Sequence, residues 1–274
     1  MKILTSFFTH RPDSALVSEM REEDNWIMHH ISDSKVLNIP PLEIAGITLD
    51  LSISKNILML ILASVIMIII FSYAAALNLK NKHPRGLGNF VELLMVFVRD
   101  EVVIPSMGQN GVKFLPFFFT LFFFILFVNL LGLIPAMATG TSSISVTAGL
   151  ALITFIMTQI HGIKNNGFIG YFKGLIPHGV PVFVLPVMII IEFLGLLTKP
   201  FALCIRLFAN MTAGHIVIYA LIGLIFMLGY IVVPVSIGFS LFIYLLEILV
   251  AVLQAYIFTM LSALFIGMAI HQEH

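Results

Sequence analysis

Residues 199–226 read KPFALCIRLFANMTAGHIVIYALIGLIF. The run is almost wholly apolar, yet it holds an arginine, Arg206, with no acid within ten residues on either side. A run of this length is a membrane helix. A charge at the bilayer centre costs about 2.5–3.5 kcal/mol on insertion scales. A guanidinium stays charged at any physiological pH, so titration cannot relieve that cost. Something outside the run must compensate it, and the compensation is a first pointer to function.

The rest of the chain has the same character. Of its 274 residues, 59% are hydrophobic and 10% are charged, against about 25% charged in soluble domains. With a mean hydropathy of +1.07 and several apolar runs of membrane length, the composition predicts an all-α polytopic membrane protein embedded in the lipid bilayer. The formal net charge is +0, which gives no reason to expect nucleic acid as a partner. The single cysteine, Cys204, has no intrachain partner, and zinc-ligand spacings are absent, so no metal or bound cofactor is expected. His29, His30 and His161 read as interface residues. The start, MKILTSFFTHRPD, lacks the apolar core of a signal peptide and the Arg/Ser-rich pattern of a transit peptide.

Charge divides the chain. Residues 1–55 hold eight acids and five bases, whereas residues 114–274 hold three acids and four bases. Residues 1–54 are therefore a polar extension and 55–274 a membrane domain. Within the latter the expected helices are about 55–77, 86–106, 114–135, 146–163, 182–229 and 233–270. The segment 86–106 carries Glu92, Arg99, Asp100 and Glu101 and reads as an amphipathic helix lying at the interface. The remaining five are spans. The loop after the first span holds Lys80, Lys82 and Arg85, and the loop after 163 holds Lys164 and Lys173. By the positive-inside rule both are cytoplasmic, so the N-terminus lies outside and the C-terminus inside.

The last two segments are too long to cross upright. Residues 182–229 would measure about 70 Å as one helix, against a hydrocarbon layer of about 30 Å. Either Pro186 and Pro200 divide it or it tilts strongly, and strong tilt is set by packing against a neighbour, here a large partner. Along it Glu192, Lys199 and Arg206 are spaced by seven, one slowly drifting stripe that Asn210 continues. On the last helix Ser240, Tyr244, Glu247, Ala251 and Gln254 form a second stripe. If the turn is centred between Ile231 and Val232, straight antiparallel helices set His215 opposite Ile248, beside Glu247. Arg206 then falls opposite Ile257, within a turn of Gln254. A central cation is flanked by His215 and Glu247 toward the outside and by Glu192 and Lys199 toward the inside. An acid and an imidazole at one depth look like a proton relay of the kind found in pumps and transporters. Lys199 reads first as a cation snorkelling to the interface, and Asn210 with Gln254 also fits interhelical hydrogen bonding. Asn129 and the Ser/Thr cluster 139–147 are expected to cap helices and line a wet vestibule.

RLFANMTAGH (206–215), LEILVAVLQAYIFTMLSALFIGMA (246–269), NLLGLIP (129–135) and EFLGLLTKP (192–200) resemble subunit a of F-type ATP synthases. The resemblance covers about residues 40–270. It implies a stator in a bacterial inner membrane, with a rotating ring of c subunits, b-type stator subunits and the rest of the synthase as partners. It implies that Arg206 is the essential arginine opposite the c-ring carboxylate, and that Asn210, His215, Glu247 and Gln254 lie on the proton path. Glu192 belongs to the inner mouth, with Lys199, Asn129, Ser240 and Tyr244 as secondary candidates. Some members exchange the acid and the histidine between the positions of His215 and Glu247, and some carry an acid where this chain has Gly132. ATP chemistry is expected elsewhere in the complex, since no GxxxxGK[ST] loop occurs. A stand-alone transporter using Arg206 to bind an anion would show internal repeats, and none is visible. A purely structural scaffold would not need Arg206.

Overall fold

The computed structural model describes residues 35–37, 42–44, 47–49, 53–80, 86–134, 139–174, 183–228 and 232–270. Most of the polar extension predicted over 1–54 lies outside these residues. Its described part forms two antiparallel strand pairs: β1 (Lys35–Leu37) with β4 (Ile53–Ser54), and β2 (Leu42–Ile44) with β3 (Ile47–Leu49). From residue 55 onward the described chain is helical. Among the described residues, five stretches are long and apolar enough to cross a membrane.

The first helix, α1 (Lys55–Lys80), exposes Ile61, Ile68 and Ile69, a surface suited to lipid. A long helical segment follows. It comprises α2 (Leu87–Phe97), a π-helical stretch (Val98–Val103) and α3 (Ile104–Met107). The wider π turn changes the phase of the side chains. Val98, Val102, Val103 and Met107 are thereby all buried, while Arg99, Asp100 and Glu101 remain exposed. Arg99 donates to Asp100 at 2.7 Å on this exposed face. The segment is amphipathic as expected, but its valine face packs on the protein's own core. Gly108, at φ 61, ends α3 in a conformation that disfavours residues with a Cβ. A 3₁₀ segment (Gly108–Phe114) leads into α4 (Leu115–Gly132), with Pro116 in its first turn where the missing N–H costs nothing. Of the phenylalanines at 117–119 and 122–124 on α4, Phe118, Phe122 and Phe123 are core residues.

After a 3₁₀ turn (Gly140–Ser142) come α5 (Ile144–Asn166) and the short α6 (Phe168–Gly174). The last two helices are α7 (Leu185–Leu228, 44 residues) and α8 (Val233–Ile270, 38 residues). Helix α7 runs without a break through Pro200, so the prolines do not divide it. At about 1.5 Å per residue it measures roughly 66 Å.

The chain forms two compact units. The larger holds residues 55–214 and 244–274. Its core joins Val98, Val102 and Met107 to Phe118, Phe122 and Ile125 of α4, Leu203 and Leu207 of α7, and Ala255, Phe258 and Ile266 of α8. The smaller unit holds residues 1–54 and 215–243.

Candidate functional site

The larger unit contains most of the polar residues singled out above. In the middle of α7 the face bearing Arg206 and Asn210 is exposed, while Leu203, Leu207 and Met211 on the adjoining face are buried. Arg206 makes no hydrogen bond or ion pair with any described residue. One turn on, Asn210 donates through Nδ2 to Oε1 of Gln254 at 2.9 Å. Strict antiparallel register would pair Asn210 with Leu253, so the observed register is one residue from the expected one. Gln254 itself is buried, at 2% exposure.

Further along α7, Gly214 packs against Glu247 so closely that a Cβ there would overlap the carboxylate side chain. Glu247 is buried, at 4% exposure, in a face that also holds Ala251 and half-buried Tyr244. Met211, Ala251 and Leu133 form a small apolar cluster, with Leu130 and Tyr244 against it. In the smaller unit His215 is half-buried beside Tyr219, their rings 6.5 Å apart, and Ser240 is half-buried on α8.

Toward the start of α7 lies a cavity of about 300 Å³. Glu192 and Lys199 line it, opposite Thr154, Thr158 and Gln159 of α5 and Tyr171 of α6. Two further polar groups follow from the geometry. Pro200 has no N–H, so the Leu196 carbonyl gets no helical partner from it, and both residues line the cavity. The Nε2 of Gln159 is buried with no hydrogen-bond partner among the described residues. Burial holds the Tyr171 phenol above its ordinary range. Lys199 Nζ sits 5.5 Å from the centre of the Phe265 ring and is exposed, as a snorkelling cation would be, while also bordering the cavity. Helices α5 and α8 are tied alongside it by Thr154 to Ser262 (3.4 Å) and by Asn166 Nδ2 to the Ala269 carbonyl (2.9 Å).

The residues expected to cap helices and line a vestibule differ in burial: Asn129 and Thr141 are fully buried and Thr139 nearly so, while Ser142 and Ser143 are half-buried and Ser145 is exposed. Ser143, at the N-cap of α5, makes no side-chain cap bond. Asn129 instead donates to the Ala251 carbonyl of α8 at 3.3 Å. Thr139 occupies the space that a side chain on Gly132 would take and donates to the Gly132 carbonyl at 3.1 Å. The polar cavity residues Thr158, Gln159 and Tyr171 were not singled out from sequence. Their only signal was the polar pattern TQIH and a Tyr in a loop, which is too common to select.

A family model described as ATP synthase A chain matches residues 57–267. Curated relatives include ATP synthase subunit a of Chloroherpeton thalassium, 46% identical over 260 residues, covering 90% of this chain and 77% of its own. Subunit a of Myxococcus xanthus is 49% identical over 229 residues, covering 82% of this chain and 75% of its own. Subunit a 2 of Chlorobaculum tepidum is 49% identical over 256 residues, covering 89% and 72% respectively.

Proposed function

The chain belongs to the ATP synthase A chain family, and from that premise we propose that it is a stator passing protons to and from a rotating ring of c subunits by two separate half-paths. As a multi-pass membrane member of the family it serves ATP synthesis and proton transport in a complex with other ATP synthase subunits. The observation that carries the finer reading is the state of Arg206. It is a permanent cation on an exposed face midway along an overlong apolar helix, without a partner among the described residues. Its counter-charge is supplied by another subunit, and the c-ring carboxylate is the group that fits.

The half-paths follow from what flanks that cation. On one side lie Asn210, Gln254 and Glu247; His215, the residue after Gly214, is added from the sequence as the imidazole of the relay. On the other lies the cavity bounded by Glu192, with Lys199 at its edge. A proton entering beside His215 and Glu247 neutralises a ring carboxylate, which then moves into the lipid-facing part of the ring. A carboxylate completing the turn releases its proton toward the Glu192 cavity. Arg206 keeps the arriving carboxylate ionised, since an opposite charge within about 4–6 Å favours the charged form, and it separates the two paths. In this reading α2 lies at the cytoplasmic interface, the N-terminus is outside, b-type subunits complete the stator, and the host membrane is a bacterial inner membrane.

The test is a crosslink. In a Cys204→Ser background, Asn210→Cys is expected to form a disulfide with a cysteine placed beside the c-subunit carboxylate. Labelling of Asn210→Cys by lipid-phase reagents alone, with no crosslink, would refute the ring-facing assignment.

A further inference from the structure

Asn129 is fully buried on α4, and both ends of its amide are engaged. Thr141 donates through Oγ1 to Oδ1 of Asn129 at 2.7 Å. That bond fixes which way the amide points, so Nδ2 is aimed at the Ala251 carbonyl at 3.3 Å. Thr141 is in turn held by the 3₁₀ turn, where Ser142 Oγ donates to the Thr139 carbonyl at 2.7 Å and Thr139 donates to Gly132. Two sets of hydrogen bonds, Thr141–Asn129–Ala251 and Ser142–Thr139–Gly132, linked only through the backbone of the 3₁₀ turn, thus connect the turn, the end of α4 and the middle of α8.

The place where this chain meets α8 matters. Ala251 lies four residues after Glu247 and three before Gln254, so all three share one face. The contacts around it are apolar, namely Leu130, Leu133, Met211 and Tyr244. Apolar contacts are non-directional and define axial position weakly. A hydrogen bond to one backbone carbonyl defines it well, because sliding by a single turn of about 5.4 Å removes the acceptor.

We propose that Asn129, oriented by Thr141, is a positioning residue that sets the depth of Glu247 and Gln254 on α8. The proposal rests on the half-path reading given above. Neither Asn129 nor Thr141 moves a proton. They hold the carboxylate and the amide of α8 level with the Asn210 turn of α7.

The experiment uses the full complex in inverted membrane vesicles and compares Thr141→Val, Thr141→Ser, Asn129→Leu and, as reference, Glu247→Gln. The amount of assembled chain, ATP hydrolysis, and ATP-driven proton pumping per assembled complex are measured across pH. Thr141→Val and Asn129→Leu are expected to lower pumping per complex by about two- to tenfold, the range that one net hydrogen bond spans, and to displace the pH midpoint of pumping. Thr141→Ser keeps the hydroxyl and is expected to retain the parent rate and midpoint. A purely structural role would lower the amount assembled and leave pumping per complex and its pH profile alone. Should Thr141→Val fail to accumulate, Asn129→Leu, an apolar residue of similar volume, carries the comparison. Equal pumping and equal pH profiles in Thr141→Val and Thr141→Ser overturn the proposal. If Glu247→Gln is slow while Thr141→Val is normal, the positioning role alone fails. If Glu247→Gln pumps normally, the half-path reading itself fails.

Discussion

Gly214 offers the sharpest single-atom perturbation of the proposed relay. A Cβ built on it would lie 2.7 Å from Cδ and 2.9 Å from Cγ of Glu247, and would overlap Oε1 as well. Real Cβ atoms do not approach this closely, so Gly214→Ala must displace the carboxylate or part the two helices. Glu247 is only 4% exposed, and three of its atoms are struck rather than its tip alone, so a free swing into open space is not on offer. Overpacking of this kind costs about 1–3 kcal/mol. If all of it falls on the step that charges Glu247, proton flux drops by about 5- to 150-fold. The helix itself is not weakened, because alanine is favoured over glycine in a helix interior by about 1 kcal/mol. The assay is ATP-driven pumping per assembled complex in inverted vesicles. Glu247→Asp on the Gly214→Ala background withdraws the carboxylate by one methylene and should restore part of the lost flux, a coupling expected only of residues in contact. Pumping within twofold of the parent in Gly214→Ala, at equal assembly, would refute the account of Glu247 as a carboxylate held in one working position.

Two further outcomes are expected. Singly, Glu247→Gln and His215→Ala should each slow proton entry strongly, and the double exchange His215→Glu with Glu247→His should recover more activity than the product of the single exchanges His215→Glu and Glu247→His, because residues acting as a pair couple non-additively; additive losses across pH would mean that they act apart. Gly132→Asp should lower the amount of assembled chain, since Thr139 already fills that space and overpacking costs about 1–3 kcal/mol. Pairing it with Thr139→Gly should restore assembly, and failure of that pairing would mean that the 3₁₀ turn is not what excludes a side chain at Gly132.

The α7–α8 arrangement was legible because two facts sufficed for it. Both apolar runs far exceed a bilayer, and the break at GYIVVP is short, so register follows from counting outward. The Asn210–Gln254 bond at 2.9 Å falls within one residue of that count. The stripe Glu192–Lys199–Arg206 was legible for the same reason, since seven residues return nearly to the same helix face. Tertiary partners were not legible. Asn129 meets Ala251 across 122 residues, and nothing in NLLGLIP announces an acceptor on another helix. Some family members carry an acid where this chain has Gly132, and only the fold shows that Thr139 occupies the space a side chain there would take. The buried face of 86–106 was likewise hidden, because the π turn shifts the phase that an α-helical reading assumes.

The central claim is that Arg206 faces a carboxylate of a moving partner and separates two proton half-paths. Arg206→Ala, assembled in the intact synthase, measures it most directly by proton-driven ATP synthesis and by passive proton leak in the same membranes. Synthesis should be abolished with assembly retained, and leak should rise because nothing then parts the two paths. Arg206→Lys should also fail to synthesise, since a compact, strongly hydrated ammonium does not replace a planar guanidinium. Near-normal synthesis in Arg206→Ala, with no added leak, would contradict the account.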